Sequence, residues 1–191
     1  MCIESRTSGE LVAVIAHRSD DYLYIPVLWA ALSALIVPGP LLFFDVTGVS
    51  FSVLQVATFL IAAALLRWPV LKMRFIPREV KRRRAALMAK EQFLEQNLHH
   101  TAQRNGILIY ISVAEHYVEL IADKGVNDVV PLGTWDTLVQ QLLGHIRQGE
   151  IEVGLITTVR QCGDILEQHF PAMARDINEL PNHLVEITEP N

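Results

Sequence analysis

Three kinds of hydrophobic pattern follow one another along the chain. Leu11 to Ala16 is a short unbroken apolar run rich in Val and Ile, the length and branching of a buried strand. Tyr22 to Phe44 then runs about 23 residues without a charge, and a second charge-free block of about 18 residues ends at Arg67. Beyond a basic stretch the period changes again. Ala85 to Arg104 carries Leu87, Phe93, Leu94 and Leu98 along one side of a predicted helix that Asn105-Gly106 breaks. Ile107 to Val113 and Tyr117 to Asp123 predict a β-hairpin about the turn Ala114-Glu115-His116. Thr134 opens a predicted helix with Leu138, Val139, Leu142, Leu143 and Ile146 at helical spacing, stopped by Gln148-Gly149. From Glu150 to Phe170, Ile151, Leu155, Val159, Cys162, Leu166 and Phe170 recur every three or four residues, which predicts a last helix ending at Pro171. The remaining tail reads as turn chemistry followed by a few apolar residues.

The two long apolar blocks have the length of membrane spans, because a bilayer core takes about 20 apolar residues of helix. They predict a transmembrane helical hairpin over 22–71, with spans at about 22–44 and 49–68. Pro38-Gly39-Pro40 ends or kinks the first helix, and Asp45, Thr47 and Gly48 make the turn. Tyr22, Tyr24, Trp29 and Trp68 are rings of the kind that settle at headgroup level. Ala30, Ala31, Ser33 and Ala34 offer small surfaces to Ala57 and Ala62 to Ala64. The hairpin interrupts a soluble domain: Leu11–Ala16 cannot stand alone and must pair with Ile107 to Val113. The expected organisation is therefore 1–21 as the first part of the domain, the hairpin, a basic juxtamembrane segment at 72–84, and 85–191 as the main part. Strands from a hairpin with helices packed on them give an α/β sandwich.

Charge sets the topology. The chain has 191 residues and a formal net charge of -5. Yet Arg67, Lys72, Arg74, Arg78, Lys81, Arg82, Arg83 and Arg84 sit together against Glu79 alone, half of all its lysine and arginine. A basic cluster directly after a span stays in the cytoplasm, so both termini are expected there and the protein in the cell (inner) membrane. Lys81 to Arg84 read as a topology determinant resting on lipid headgroups, since no aromatic interleaving suggests a nucleic-acid surface. There is no phosphate-binding Gly-rich loop, hence no nucleotide cofactor. Cys2 and Cys162 make no disulfide framework, which suits a reducing compartment.

Several stretches together carry a family resemblance: TSGELVAVIA, RNGILIYISVAEHYVELIADKGV, IRQGEIEVGLITTVRQCGDILEQHFP and the closing DINELPNHLVEI. In this order they resemble the TPM domain (TLP18.3, Psb32 and MOLO-1 founding proteins, also called the TPM phosphatase family), over Thr7 to Ala16 and Ala85 to Ile187. The resemblance implies an α/β/α sandwich around a small mixed sheet, completed by the strand before the hairpin, as in membrane-anchored bacterial members. It also implies phosphatase activity and a link to calcium.

Asp123, before Lys124-Gly125, together with Asp128 and with Asp176 and Glu179 of the acidic closing motif, is the candidate set for Ca2+ or another divalent cation. Such an ion would polarise a phosphoryl group. Cys162 and His169 stand two helical turns apart, about 10.5 Å, too far for a nucleophile and its base. The histidines show no zinc spacing. Two functions follow. One is a membrane-tethered docking or assembly module that contacts lipid and another membrane-associated protein; the other is a divalent-cation-dependent phosphatase.

Overall fold

The computed structural model describes residues 7–40, 48–172 and 184–187. The chain divides into two units, one of Met1–Ser19 with Arg82–Asn191 and the other of Asp20–Lys81. In the larger unit the β-branched run LVAVIA forms β1 (Leu11–Ala16), and the apolar hairpin forms β2 (Ile107–Ser112) and β3 (Tyr117–Ala122). A fourth strand, β4 (Leu184–Ile187), arises from the tail. The order is β3-β2-β1-β4, with β1, β2 and β4 parallel and β3 antiparallel to β2. This is an α/β fold on a small mixed sheet. Leu11 pairs with Ile107 and Ala16 with Ser112, so the strand before the hairpin is the neighbour of the strand after it.

Helices cover both faces of the sheet. Ile107, Ile109 and Ile111 pack with Val126 and with Leu138 and Leu142 of α6 (Thr134–Arg147) and Cys162 and Leu166 of α7 (Ile151–His169). Val12, Val14, Ala16, Leu108 and Tyr110 pack on the other side against Ala85, Met88 and Ala89 of α4 (Arg78–Glu95) and against Leu98. Because both faces are covered, β2 is buried at every position rather than alternately. The helix expected at Ala85 to Arg104 begins earlier and ends at Glu95, where Asn97 takes a left-handed conformation (φ 55°). Of the residues expected along its inner side, Phe93 and Leu98 reach the core, while Ala85 and Ala89 take the other inward places. Small Ala85 and Ala89 let the helix approach the sheet, and Leu87 and Leu94 are left in solvent.

The smaller unit is a pair of packed helices, α1 (Tyr24–Ile36) and α2 (Val49–Leu65), followed by the short α3 (Pro69–Phe75). Ala30 and Ala34 are buried where the small residues allow close approach, as expected for a hairpin. Among the described residues the expected spans of 22–44 and 49–68 are not formed; the end of the first, 41–44, and the expected turn at Asp45 and Thr47 lie outside those residues. With 13 and 17 residues, α1 and α2 are about 20 and 25 Å long, against a hydrocarbon thickness of about 30 Å. Among the described residues no helix is long and apolar enough to cross a membrane. The local reason for α1 is the Pro38-Gly39-Pro40 stretch, which cannot continue a helix. Tyr22 is also corrected. Instead of lying at an interface it is fully buried at φ 47°, packed with Ile25 and Ile76.

Candidate functional site

In sheets built on parallel strands, sites form beyond the carboxyl ends of those strands. Here that end holds four polar side chains. Tyr110 and Ser112 stand two residues apart on β2 and so point the same way. Ser19 follows β1, and Glu115 occupies the β2–β3 turn. Tyr110, Ser112 and Ser19 are all buried. Ser112 Oγ donates to Glu115 Oε2, and Ser19 Oγ donates to Ser112 Oγ at 2.9 Å. The Tyr110 hydroxyl lies 2.9 Å from Ser19 Oγ and is left to donate to it. The Ser19 N–H meets both carboxylate oxygens at 3.2 Å. Each hydroxyl proton is thereby engaged in a chain that ends on a carboxylate, which can only accept. Burial pushes the Tyr110 phenol up to about 12, with the neighbouring Glu115 charge adding to the rise and the Ser19 and Ser112 hydrogen bonds opposing it.

Chemically this is a clasp rather than a reactive centre. The carboxylate that would act as a base is already engaged by the Ser112 hydroxyl and the Ser19 amide. Glu115→Ala would strand these buried donors. We expect it to lower the stability of the larger unit by about 1–3 kcal/mol, read as an earlier denaturant midpoint, with Glu115→Gln recovering part of the loss through its remaining carbonyl oxygen. Equal midpoints for Glu115→Ala and the parent would show that water replaces the clasp. Sequence reading passed over this group because Ser19 and Glu115 lie 96 positions apart. The available signal was the Tyr-x-Ser spacing on β2 followed by a carboxylate in its turn.

The acidic candidates lie elsewhere. Asp123 is the N-cap of the one-turn helix α5 (Lys124–Asn127), its Oδ1 accepting from the Lys124 N–H at 2.7 Å, and Asp128 is the C-cap of the same turn. Since β3 is antiparallel, its carboxyl end sits at the amino ends of β1 and β2, with Ala122 opposite Ile107. Asp123 and Asp128 are therefore at the other end of the sheet from the carboxyl ends of the parallel strands. Asp123 Oδ2 is buried without a hydrogen-bond partner among the described residues. Gly125 is set by packing, because a Cβ there would come within 2.5 Å of the Gln103 carbonyl oxygen and 2.6 Å of that of Arg104. Asp176 and Glu179 lie outside the described residues. Among the described residues no group of three or more His, Cys, Asp or Glu is placed to hold a metal ion. Burial pushes the Cys162 thiol up to about 12, which keeps it protonated and inert near neutrality.

A second feature is the outer surface of the α1–α2 hairpin. Leu23, Val27, Leu28, Leu35, Ile36, Val53, Val56, Leu60 and Ile61 are all exposed, and α2 has no buried residue at all. Three of its hydroxyls bond their own helix: Ser33 Oγ to the Ala30 carbonyl and Thr58 Oγ1 to the Leu54 carbonyl, each at 2.8 Å, and Ser52 Oγ to the Gly48 carbonyl at 3.3 Å.

Comparison with known proteins places this architecture. Residues 76–165, from the end of α3 through most of α7, match the TPM domain family. The fold is similar to the NMR structure of the BA42 protein from the psychrophilic bacterium Bizionia argentinensis. That similarity has a TM-score of 0.58 at 22% identity, over 96% of this chain and 84% of that one. No match is found among curated proteins. The family match over 76–165, set in this mixed four-stranded sheet, identifies a TPM domain within the chain.

Proposed function

We propose that this chain is a membrane-anchored TPM-domain protein whose apolar hairpin lies in the hydrocarbon of the cell membrane. On this reading both ends of the hairpin are on the cytoplasmic face, and the TPM domain there is a docking or assembly module for another membrane-associated protein. The observation that carries the proposal is the inside-out pattern of α1 and α2. Their outward positions are mostly leucine, isoleucine and valine without a single charge, with Ser50 and Ser52 exposed near the start of α2, while Ser33, Gln55 and Thr58 are less exposed. Water would penalise so large a contiguous apolar surface, whereas lipid accepts it. Hydroxyls bonded within their own helix need no water. The basic residues after α2 support the cytoplasmic orientation. The docking role is supported by the clasp at the strand ends, whose polar groups engage one another.

Two measurements test this. The protein should stay with membranes through alkaline carbonate and be released by detergent. A cysteine placed at exposed Glu152 in a Cys2→Ser background should react with an impermeant thiol reagent only after the membrane is opened. Release by carbonate would overturn the anchoring, and labelling of intact cells would overturn the orientation.

A further inference from the structure

We propose that α3 is an interfacial foot that recognises the headgroups of anionic phospholipids, with Arg67, Arg74 and Arg78 as the phosphate contacts and Trp68, Leu71 and Phe75 as the apolar wedge beneath them. The proposal rests on the membrane reading above and adds to it the chemical class of lipid.

The argument begins with the two sides of α3. One side is covered within its own unit, where Met73 and Ile76 pack with Tyr22 and Ile25. Trp68, Leu71 and Phe75 follow at i, i+3 and i+7, one stripe of a helix, and they are 64%, 36% and 42% exposed. Phe75 is held there by the Trp29 ring of α1, with centroids 5.7 Å apart. An apolar stripe that is rigidly placed and uncovered is a contact surface.

Charge decides what it meets. The two lysines of this stretch are turned onto main chain, Lys72 Nζ to the Asp21 carbonyl and Lys81 Nζ to the Met73 carbonyl. Arg67, Arg74 and Arg78 are exposed instead. Arg67 precedes Trp68, Arg74 lies beside Leu71 on the helix, and Arg78 follows after the break at Ile76-Pro77. Guanidinium groups bind phosphate through paired N–H donors, and they border a stripe led by tryptophan, the residue that favours the headgroup level. The stripe is also continuous in sequence with the apolar α2, which ends three residues before Trp68. A surface that joins hydrocarbon-seeking helices, carries tryptophan and is rimmed by arginine fits an anionic bilayer surface.

The test uses the full chain reconstituted into mixed bilayers carrying spin-labelled phosphatidylglycerol or phosphatidylcholine, read as the motionally restricted lipid at the protein boundary. Phosphatidylglycerol should be preferred by about fivefold or more, the factor for one surface cation. The triple variant Arg67→Gln, Arg74→Gln, Arg78→Gln should bring that ratio close to one. A control with the same charge loss on the larger unit, Lys124→Gln, Arg147→Gln, Arg160→Gln, should keep it. Equal association of the two lipids with the parent protein, or a preference that survives in the triple variant, overturns the headgroup proposal while leaving the hairpin in the membrane. A ratio that falls equally in the control assigns the effect to net charge and overturns it as well. No restricted lipid of either kind sinks both the proposal and the membrane reading.

Discussion

Val14→Asp should unfold the larger unit while the hairpin stays where it is. Val14 is fully buried in the middle of β1, opposite Tyr110 on β2 and Val185 on β4. Its side chain points into the cluster of Val12, Ala16, Ala85, Met88, Ala89, Leu98, Leu108 and Tyr110. A carboxylate there has no cation to pair with in that cluster, and the substitution also removes a branched apolar side chain. The two effects together are worth about 4–5 kcal/mol or more, a large part of the roughly 5–15 kcal/mol that holds a domain of this size folded. Limited proteolysis should cut the larger unit at protease concentrations that leave the parent intact, while the protein remains in the carbonate-resistant membrane fraction. Unchanged resistance would mean that β1 does not contribute to the fold as its pairing indicates. Loss of the protein from the membrane fraction would mean that hairpin and domain do not behave as separate units.

Paired lysines at Val56 and Leu60 should empty the membrane fraction. These two side chains are four residues apart near the middle of α2, and both face outward, 58% and 60% exposed. If that surface lies in hydrocarbon, each lysine near the centre opposes insertion by about 2.5–3.5 kcal/mol, so the pair opposes it by roughly 5–7 kcal/mol. If the same surface faces water, a charged substitution at an exposed helix position changes stability by only about 0.5 kcal/mol. The two environments thus predict outcomes several orders of magnitude apart in the partition between membrane and supernatant. Val56→Lys with Leu60→Lys should leave the carbonate-resistant fraction, whereas Val56→Leu with Leu60→Ile should not. Retention of the lysine pair would place the hairpin outside the bilayer and would direct attention to a protein partner for its apolar face.

What the chain says locally is what the sequence determined on its own. The β-branched runs of β1, β2 and β3, the turn between β2 and β3, and the apolar period of α6 and α7 depend on neighbours within a few residues. These elements stand where that period puts them. The TPM resemblance is legible for the same reason, since it rests on the order of those elements. Beyond the pairing of β1 with β2, which the interrupted domain already implied, what depends on which elements meet was decided by the tertiary structure. The tail residues Leu184–Ile187 are too few to declare a strand, and they become one because the free edge of β1 offers them hydrogen bonds. α4 turns Ala85 and Ala89 inward because close approach to a sheet favours small side chains over the larger leucines that a hydrophobicity count selects. Tyr22 is buried by Ile76, 54 positions away. Asp123 sits at the strand end opposite to the parallel carboxyl ends because β3 runs antiparallel, a direction that follows from its pairing. The Ser19–Ser112–Glu115 clasp exists because β1 and β2 are neighbours in register, which brings together residues that no local period relates.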